Sequence, residues 1–176
     1  PSFTLTGPEA GVNEVGFPNS VLAADFDGDG WTDLYVSHDY EAPDRLYHNN
    51  GDGTFTDILP EATGHTSYYS MGVDGADLNH DGLTDLMVLD MVAEDNFRLK
   101  ANMSGMNPEA FQQVVKNGGH YQYMFNTLQL NQGQNHFSEI AQLAGVAATD
   151  WSWANLFADL DNDGQQDLYV TNGLLR

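Results

Sequence analysis

Three short stretches of this chain carry oxygen-bearing side chains at the same spacing: "DFDGDGWTD" from Asp25, "DLNHDGLTD" from Asp77 and "DLDNDGQQD" from Asp159. With the first aspartate as position 1, side-chain oxygens fall at positions 1, 3, 5 and 9. These are Asp25, Asp27, Asp29 and Asp33 in the first loop, and Asp77, Asn79, Asp81 and Asp85 in the second. The third offers Asp159, Asp161, Asp163 and Asp167. Position 6 is always glycine (Gly30, Gly82, Gly164), which permits a sharp bend. Position 7 (Trp31, Leu83, Gln165) offers its backbone carbonyl. Hard oxygen donors at alternate positions, a glycine at 6 and a carbonyl at 7 suit a calcium ion wrapped by one loop. Magnesium, smaller and reluctant to shed water, suits such a cage less well. Carboxylates so close repel one another unless a cation sits among them, which weighs against plain polar turns.

An EF-hand shares the opening pattern but needs a glutamate at position 12 and helices on both sides. Position 12 is Val36, Val88 and Val170, and the flanks are β-branched and aromatic. Both requirements fail. Asp33, Asp85 and Asp167 are then expected to replace the missing glutamate as bidentate ligands. Asn79 gives the second loop one charge fewer, so it is expected to bind calcium more weakly.

The elements that position these loops repeat with them. Gly11, Gly64 and Gly145 precede the loops by 13 or 14 residues, and "FPNSVLAA", "YSMGVDGA" and "WSWANLFA" lead into them. β-rich runs follow: "DLYVSHDY", "DLMVLDMV" and "DLYVTNG". The first unit continues into "DRLYHNNGDGTFTDI", alternating segments around an Asn-Gly and Asp-Gly turn, a strong hairpin signal. The second continues into "NTLQLNQGQNHFSEI" after an insertion at about 93–120. There, "NPEAFQQVVKNGG" reads as one short helix with Asn107 as N-cap, Pro108 first and Gly118 as stop.

Strand, acidic loop, strand and hairpin in roughly 50 residues is the pattern of a four-stranded antiparallel β-propeller blade. The fold class is all-β, divided as 1–63, 64–144 with the insertion, and a partial unit 145–176. Propellers use about four to eight blades, so a fragment of a larger propeller is expected, with further blades of the same parent chain as neighbours.

Composition narrows the partners. The 26 acidic and 5 basic residues give a net charge of −21, which repels nucleic acid and anionic membranes and attracts cations. The hydrophobic content of 41% is that of a globular protein, and the absence of cysteine excludes disulfides and thiolate sites. No apolar run approaches the roughly 18 residues of a membrane span, so no membrane insertion is expected. The six histidines lack metal-site spacing.

"FPNSVLAADFDGDGWTDLYV" resembles the FG-GAP/VCBS repeat, the calcium-loop blade of integrin α-subunits and many secreted bacterial proteins. "DRLYHNNGDGTFTDI" and "TDWSWANLFADLDNDGQQDLYVTNG" look closest to cartilage-acidic-protein-like, ASPIC/UnbV-associated members. The resemblance implies calcium in each loop and an extracellular, periplasmic or cell-surface location. Pro18, Ser70 and Ser152 stand where the family's "FG" glycine is expected, which argues against integrin-type ligand recognition.

Tyr68, Tyr69, Trp151 and Trp153 cluster before the loop-bearing strands. They read either as inter-blade packing or as a rim for a protein or carbohydrate ligand. Asp74, where its siblings are Leu22 and Leu156, reads as a channel-lining group or a lost core position. No catalytic residues are expected. The function expected is a calcium-stabilised binding scaffold. The alternative is part of a calcium-dependent polysaccharide lyase, which would want its few cations (Arg45, Arg98, Lys100, Lys116, Arg176) clustered.

Overall fold

Apolar alternation on either side of each acidic loop forces the two flanking segments to pair as antiparallel strands, and the chain folds accordingly. The computed structural model describes residues 6–12, 16–40, 42–102 and 106–173. A helical turn, α1 (Gly7–Ala10), leads into the first sheet. That sheet is a meander of β1 (Phe17–Ala24), β2 (Asp33–Asp39), β3 (Arg45–Asn49) and β4 (Phe55–Asp57), hydrogen-bonded in that order. Gly51 and Gly53 make its hairpin turn with φ of 74° and 89°.

After α2 (Leu59–Ala62) and β5 (Thr66–Ser67) come β6 (Val73–Ala76) and β7 (Asp85–Val88). The insertion then supplies β8 (Met91–Val92), α3 (Asn96–Asn102), α4 (Pro108–Lys116) and β9 (Gln122–Tyr123). β10 (Thr127–Asn131) and β11 (Phe137–Glu139) complete a second four-stranded sheet with β6 and β7. Following α5 (Ala141–Ala144), β12 (Asp150–Ala158) pairs with β13 (Asp167–Asn172) on one side and β8 on the other.

The chain is therefore mostly β, in antiparallel sheets joined by short helices, with β5 and β9 adding a short parallel pair. The helix at 108–116 forms with the cap expected of it: Asn107 accepts hydrogen bonds from the amides of Glu109 and Ala110. The expectation of a single short helix is corrected. α3 forms as well, its start held by Asp95 Oδ1 accepting from Arg98 N at 2.8 Å. One helical turn (α1, α2, α5) also lies at the same place before each unit, too short to show a period.

The sheets stack face to face. Phe26, Tyr35, Leu46, Leu59, Leu86 and Val88 form the core between the first and second sheets. Met87, Leu89 and Leu128 pack with Phe157, Leu168 and Val170 between the second and third. β7 sits in the middle and is buried on both faces, which is why "LMVL" has no polar alternation, unlike "LYVSH" of β2. The first strands of the units, β1, β6 and β12, run side by side. A Cβ on Gly75 would lie 2.6 Å from Asp85 O, so this close approach requires glycine. Asp74 is half-buried in β6. Its Oδ2 accepts Phe157 N at 2.7 Å and ties β6 to β12.

Candidate metal centres

The three acidic loops share one winding and one set of backbone-to-carboxylate hydrogen bonds, to which the first adds Gly28 N on Asp25 Oδ1 at 2.8 Å. At position 1, Asp25, Asp77 and Asp159 each accept the position-6 glycine amide on Oδ2, at 2.9 Å in every case. Oδ1 of the same residue takes the amide of position 5 at 3.2, 3.0 and 3.0 Å. The position-3 side chain also accepts that amide, and the position-5 carboxylate accepts the amide of position 7. Each loop makes two left-handed residues, at position 4 (Gly28, His80, Asn162) and at position 6 (Gly30, Gly82, Gly164). Glycine is the residue that takes this conformation without steric cost.

This winding turns the alternate side chains inward. Carboxylate oxygens of Asp25, Asp27 and Asp29 lie within 4.8 Å of one another, as do those of Asp159, Asp161 and Asp167. In the second loop, Asn79 Nδ2 instead donates to Asp81 Oδ2 at 2.8 Å. The position-7 residues Trp31, Leu83 and Gln165 hold their amides toward the preceding carboxylate.

Position 9 also ties the loop to its sheet. Asp33 and Asp85 open β2 and β7 and are almost wholly buried. Asp33 accepts Phe26 N at 3.1 Å and Asn49 N at 2.8 Å, one on each oxygen. Asp85 repeats this with Leu78 N at 2.9 Å and Asn131 N at 2.8 Å. The carboxylate thus clamps its own loop to the third strand of its sheet. Burial raises the pKa of both, more than their amide hydrogen bonds lower it; neighbouring loop aspartates add to the rise. Asp167 accepts Leu160 N at 3.0 Å and is exposed, with no third-strand amide on it among the described residues. The clamp partners Asn49 and Asn131 escaped the reading of the sequence. Their signal was an asparagine ending both "RLYHN" and "TLQLN".

The loops also touch one another and their neighbours. His80 Nε2 meets Gln165 Oε1 at 3.0 Å, linking the second loop to the third. Asn135, in the second unit's hairpin turn, donates to Asp27 Oδ2 at 2.9 Å. His48 Nδ1 lies 3.2 Å from Asp27 Oδ2 and 3.4 Å from Asp33 Oδ1. Its counterpart in the second unit is Leu130.

The aromatic residues expected to form a rim lie at the other end of the sheets. Tyr68 and Tyr69 meet edge to face at 4.7 Å, and Tyr40 meets Tyr69 at 5.7 Å. Trp151 is half-buried in β12 opposite Met91 of β8. Trp153, half exposed, lines a separate cleft with Asn19, Met71 and Gly72. Beneath Tyr68 and Tyr69 two carboxylates are fully buried. Asp44 accepts from Tyr35 Oη (2.6 Å), His38 N (2.8 Å) and Ser70 Oγ (3.0 Å). Asp90 accepts from Ser67 Oγ and the amides of Tyr68 and Tyr69.

A family model described as the FG-GAP-like repeat matches residues 25–88 and 114–170. Those two spans contain all three acidic loops. No curated protein matches the chain.

Proposed function

Because the chain belongs to the FG-GAP-like repeat family, we propose that it is a run of calcium-binding β-propeller blades serving as an extracellular interaction scaffold. The observation that carries this reading is the threefold repetition of one loop winding, with carboxylates gathered together in the first and third loops. Calcium takes oxygen ligands at about 2.3–2.6 Å, so oxygens on opposite sides of one ion stand roughly 5 Å apart. The carboxylate oxygens gathered within 4.8 Å in the first and third loops are close enough to share one ion. A carboxylate oxygen that accepts one amide keeps a second lone pair for a cation. The ligands proposed are the position 1, 3, 5 and 9 side chains with the carbonyls of Trp31, Leu83 and Gln165. Bound calcium would offset the repulsion within each loop and fix its winding.

The propeller reading is supported by unequal burial. The middle sheet is covered on both faces, whereas Val21 (61% exposed), Leu156 (51%) and Tyr169 (56%) project from the outer two. A neighbouring blade on each side would cover them. Modest-affinity one-loop sites suit compartments where calcium is near millimolar, which favours an extracellular or cell-envelope setting. The "DRLYHNNGDGTFTDI" hairpin resembles that of the cartilage-acidic-protein-like members and supports kinship with them. Arg45 pairs with Asp57 in the first sheet and Arg98, on α3, with Asp150 of β12, so these cations are paired apart, which favours a scaffold over an enzyme for anionic sugars.

Isothermal titration with calcium, followed by thermal melts with and without chelator, tests the proposal. The expected result is about three bound ions and a melting temperature that falls on chelation. No heat of binding and an unchanged melt would refute it.

A further inference from the structure

Asp27 uses its two carboxylate oxygens differently. Oδ1 accepts the amide of Asp29 at 3.2 Å and so belongs to the winding of the first loop. Oδ2 meets side chains from the hairpins of two units. His48 Nδ1, on β3, lies 3.2 Å away, and Asn135 Nδ2, in the turn between β10 and β11, lies 2.9 Å away. His48 Nδ1 is also 3.4 Å from Asp33 Oδ1. One oxygen each from Asp27 and Asp33 and a ring nitrogen of His48 therefore gather within 4.8 Å of one another. Their side chains are 12%, 1% and 25% exposed.

Two atoms of this group are buried with no hydrogen-bond partner among the described residues: His48 Nδ1 and Asn135 Oδ1. A neutral imidazole with its proton on Nε2 offers the Nδ1 lone pair to a metal. A half-turn of the Asn135 amide exchanges its nitrogen and oxygen, bringing Oδ1 beside Asp27 Oδ2, an approach of two oxygens that a cation between them would stabilise. Asn135 stands where the first hairpin turn has Gly53, and both are left-handed, with φ of 60° and 89°. Glycine takes that conformation without steric cost, so what asparagine adds there is its side chain.

The spacing and the donor types suit zinc better than calcium. Zinc holds nitrogen and oxygen ligands at about 2.0–2.2 Å in a tetrahedron, which sets them roughly 3.3–3.5 Å apart. The 3.2 and 3.4 Å separations around His48 Nδ1 are of that size. Calcium takes oxygen ligands, whereas imidazole suits zinc and its transition-metal neighbours. The geometry points to a site for a borderline divalent ion such as zinc at the junction of the first two units. Its ligands are His48 Nδ1, Asp27 Oδ2 and Asp33 Oδ1, with Asn135 Oδ1 as the fourth. The second unit has Leu130 and Asn79 in place of His48 and Asp27, so it has no counterpart. The site shares Asp27 and Asp33 with the first loop but does not rest on the calcium reading, whose titration is run without zinc.

Zinc is titrated into the full chain at about 1 mM calcium, which loops of extracellular type bind only modestly. One zinc ion per chain should bind at least tenfold more tightly than calcium does. His48→Leu, which installs the second unit's residue, should weaken zinc about tenfold or more, and Asn135→Gly should weaken it several-fold. Thermal melts and calcium titration of each variant report that it still folds. In the wild-type chain, cobalt(II) as a zinc substitute should give the visible absorption of a four-coordinate site and shift the His48 ring resonances in NMR. Equal zinc affinity in wild type and a folded His48→Leu would overturn the inference and show attraction to the acidic loops alone. Zinc bound no more tightly than calcium would overturn it as well. So would His48 resonances unmoved by cobalt, a result that stands whether or not the variants fold.

Discussion

The position-9 aspartates should differ sharply in what they contribute to stability, independently of any metal. Consider Asp85→Ala measured in chelator. The wild-type carboxylate is buried and accepts Leu78 N and Asn131 N at 2.9 and 2.8 Å. Removing it strands two amide donors, each costing about 1–3 kcal/mol if left unsatisfied. Burial also raises this group's pKa, so its deletion relieves some desolvation. The net loss should be about 2–4 kcal/mol. Asp33→Ala strands Phe26 N and Asn49 N and should match it. Asp167→Ala frees only Leu160 N at an exposed site, where water replaces the acceptor, so the loss should be about 0.5–1 kcal/mol. Urea unfolding reads the difference. With an m-value of about 2 kcal/mol/M, Asp33 and Asp85 variants should lose roughly 1–2 M in midpoint, and Asp167 under about 0.5 M. Hydrogen exchange offers a local check, for Asn131 and Leu78 amides should lose protection first in Asp85→Ala. Three equal midpoint shifts, or a larger one at Asp167, would refute the clamp.

In the second loop, Asn79→Asp removes the donor that engages Asp81 and adds a charge, so calcium titration should show tighter binding there, and no gain would contradict the charge argument. Asp44, whose pKa burial pushes up to about 7 from 3.8, is protonated in the folded chain across a window where the unfolded chain has lost that proton. Stability should therefore be fully present below about pH 4, fall by about 4 kcal/mol up to pH 7, and stay level above it. Asp44→Asn should flatten that slope in urea midpoints measured against pH. Gly75→Ala should cost about 2 kcal/mol or more in thermal unfolding, because its Cβ would meet Asp85 O and Leu22 Cδ2; a neutral result would show that β6 can shift away from β7.

What could be read in the sequence was whatever depends on local spacing. Alternate oxygens with a glycine at position 6 specify a loop winding through bonds that span at most five residues. That is why all three loops wind alike. The hairpins and the Asn107 cap are local in the same sense. The missed features are bonds between distant segments. Asn131 reaches Asp85 across 46 residues, Asp74 reaches Phe157 across 83, and Asn135 reaches Asp27 across 108. No spacing rule reports such pairs; only the stacking of the sheets brings them together.

This division bears on what the loops are for. Each winding is self-contained, yet its position-9 carboxylate is shared with the hairpin two strands later, and loop side chains touch the next unit. A cation held in one loop would stiffen that winding, and the Asp33 and Asp85 clamps would carry the effect into the third strand of each sheet. Among the described residues the third loop has no such route, because Asp167 holds only Leu160 N. Hydrogen exchange on calcium binding should then protect Asn49 and Asn131 as strongly as the loop amides, while protection from the third loop stays within 159–167. Protection confined to all three loops alike would mean that the metal and the sheets are energetically separate.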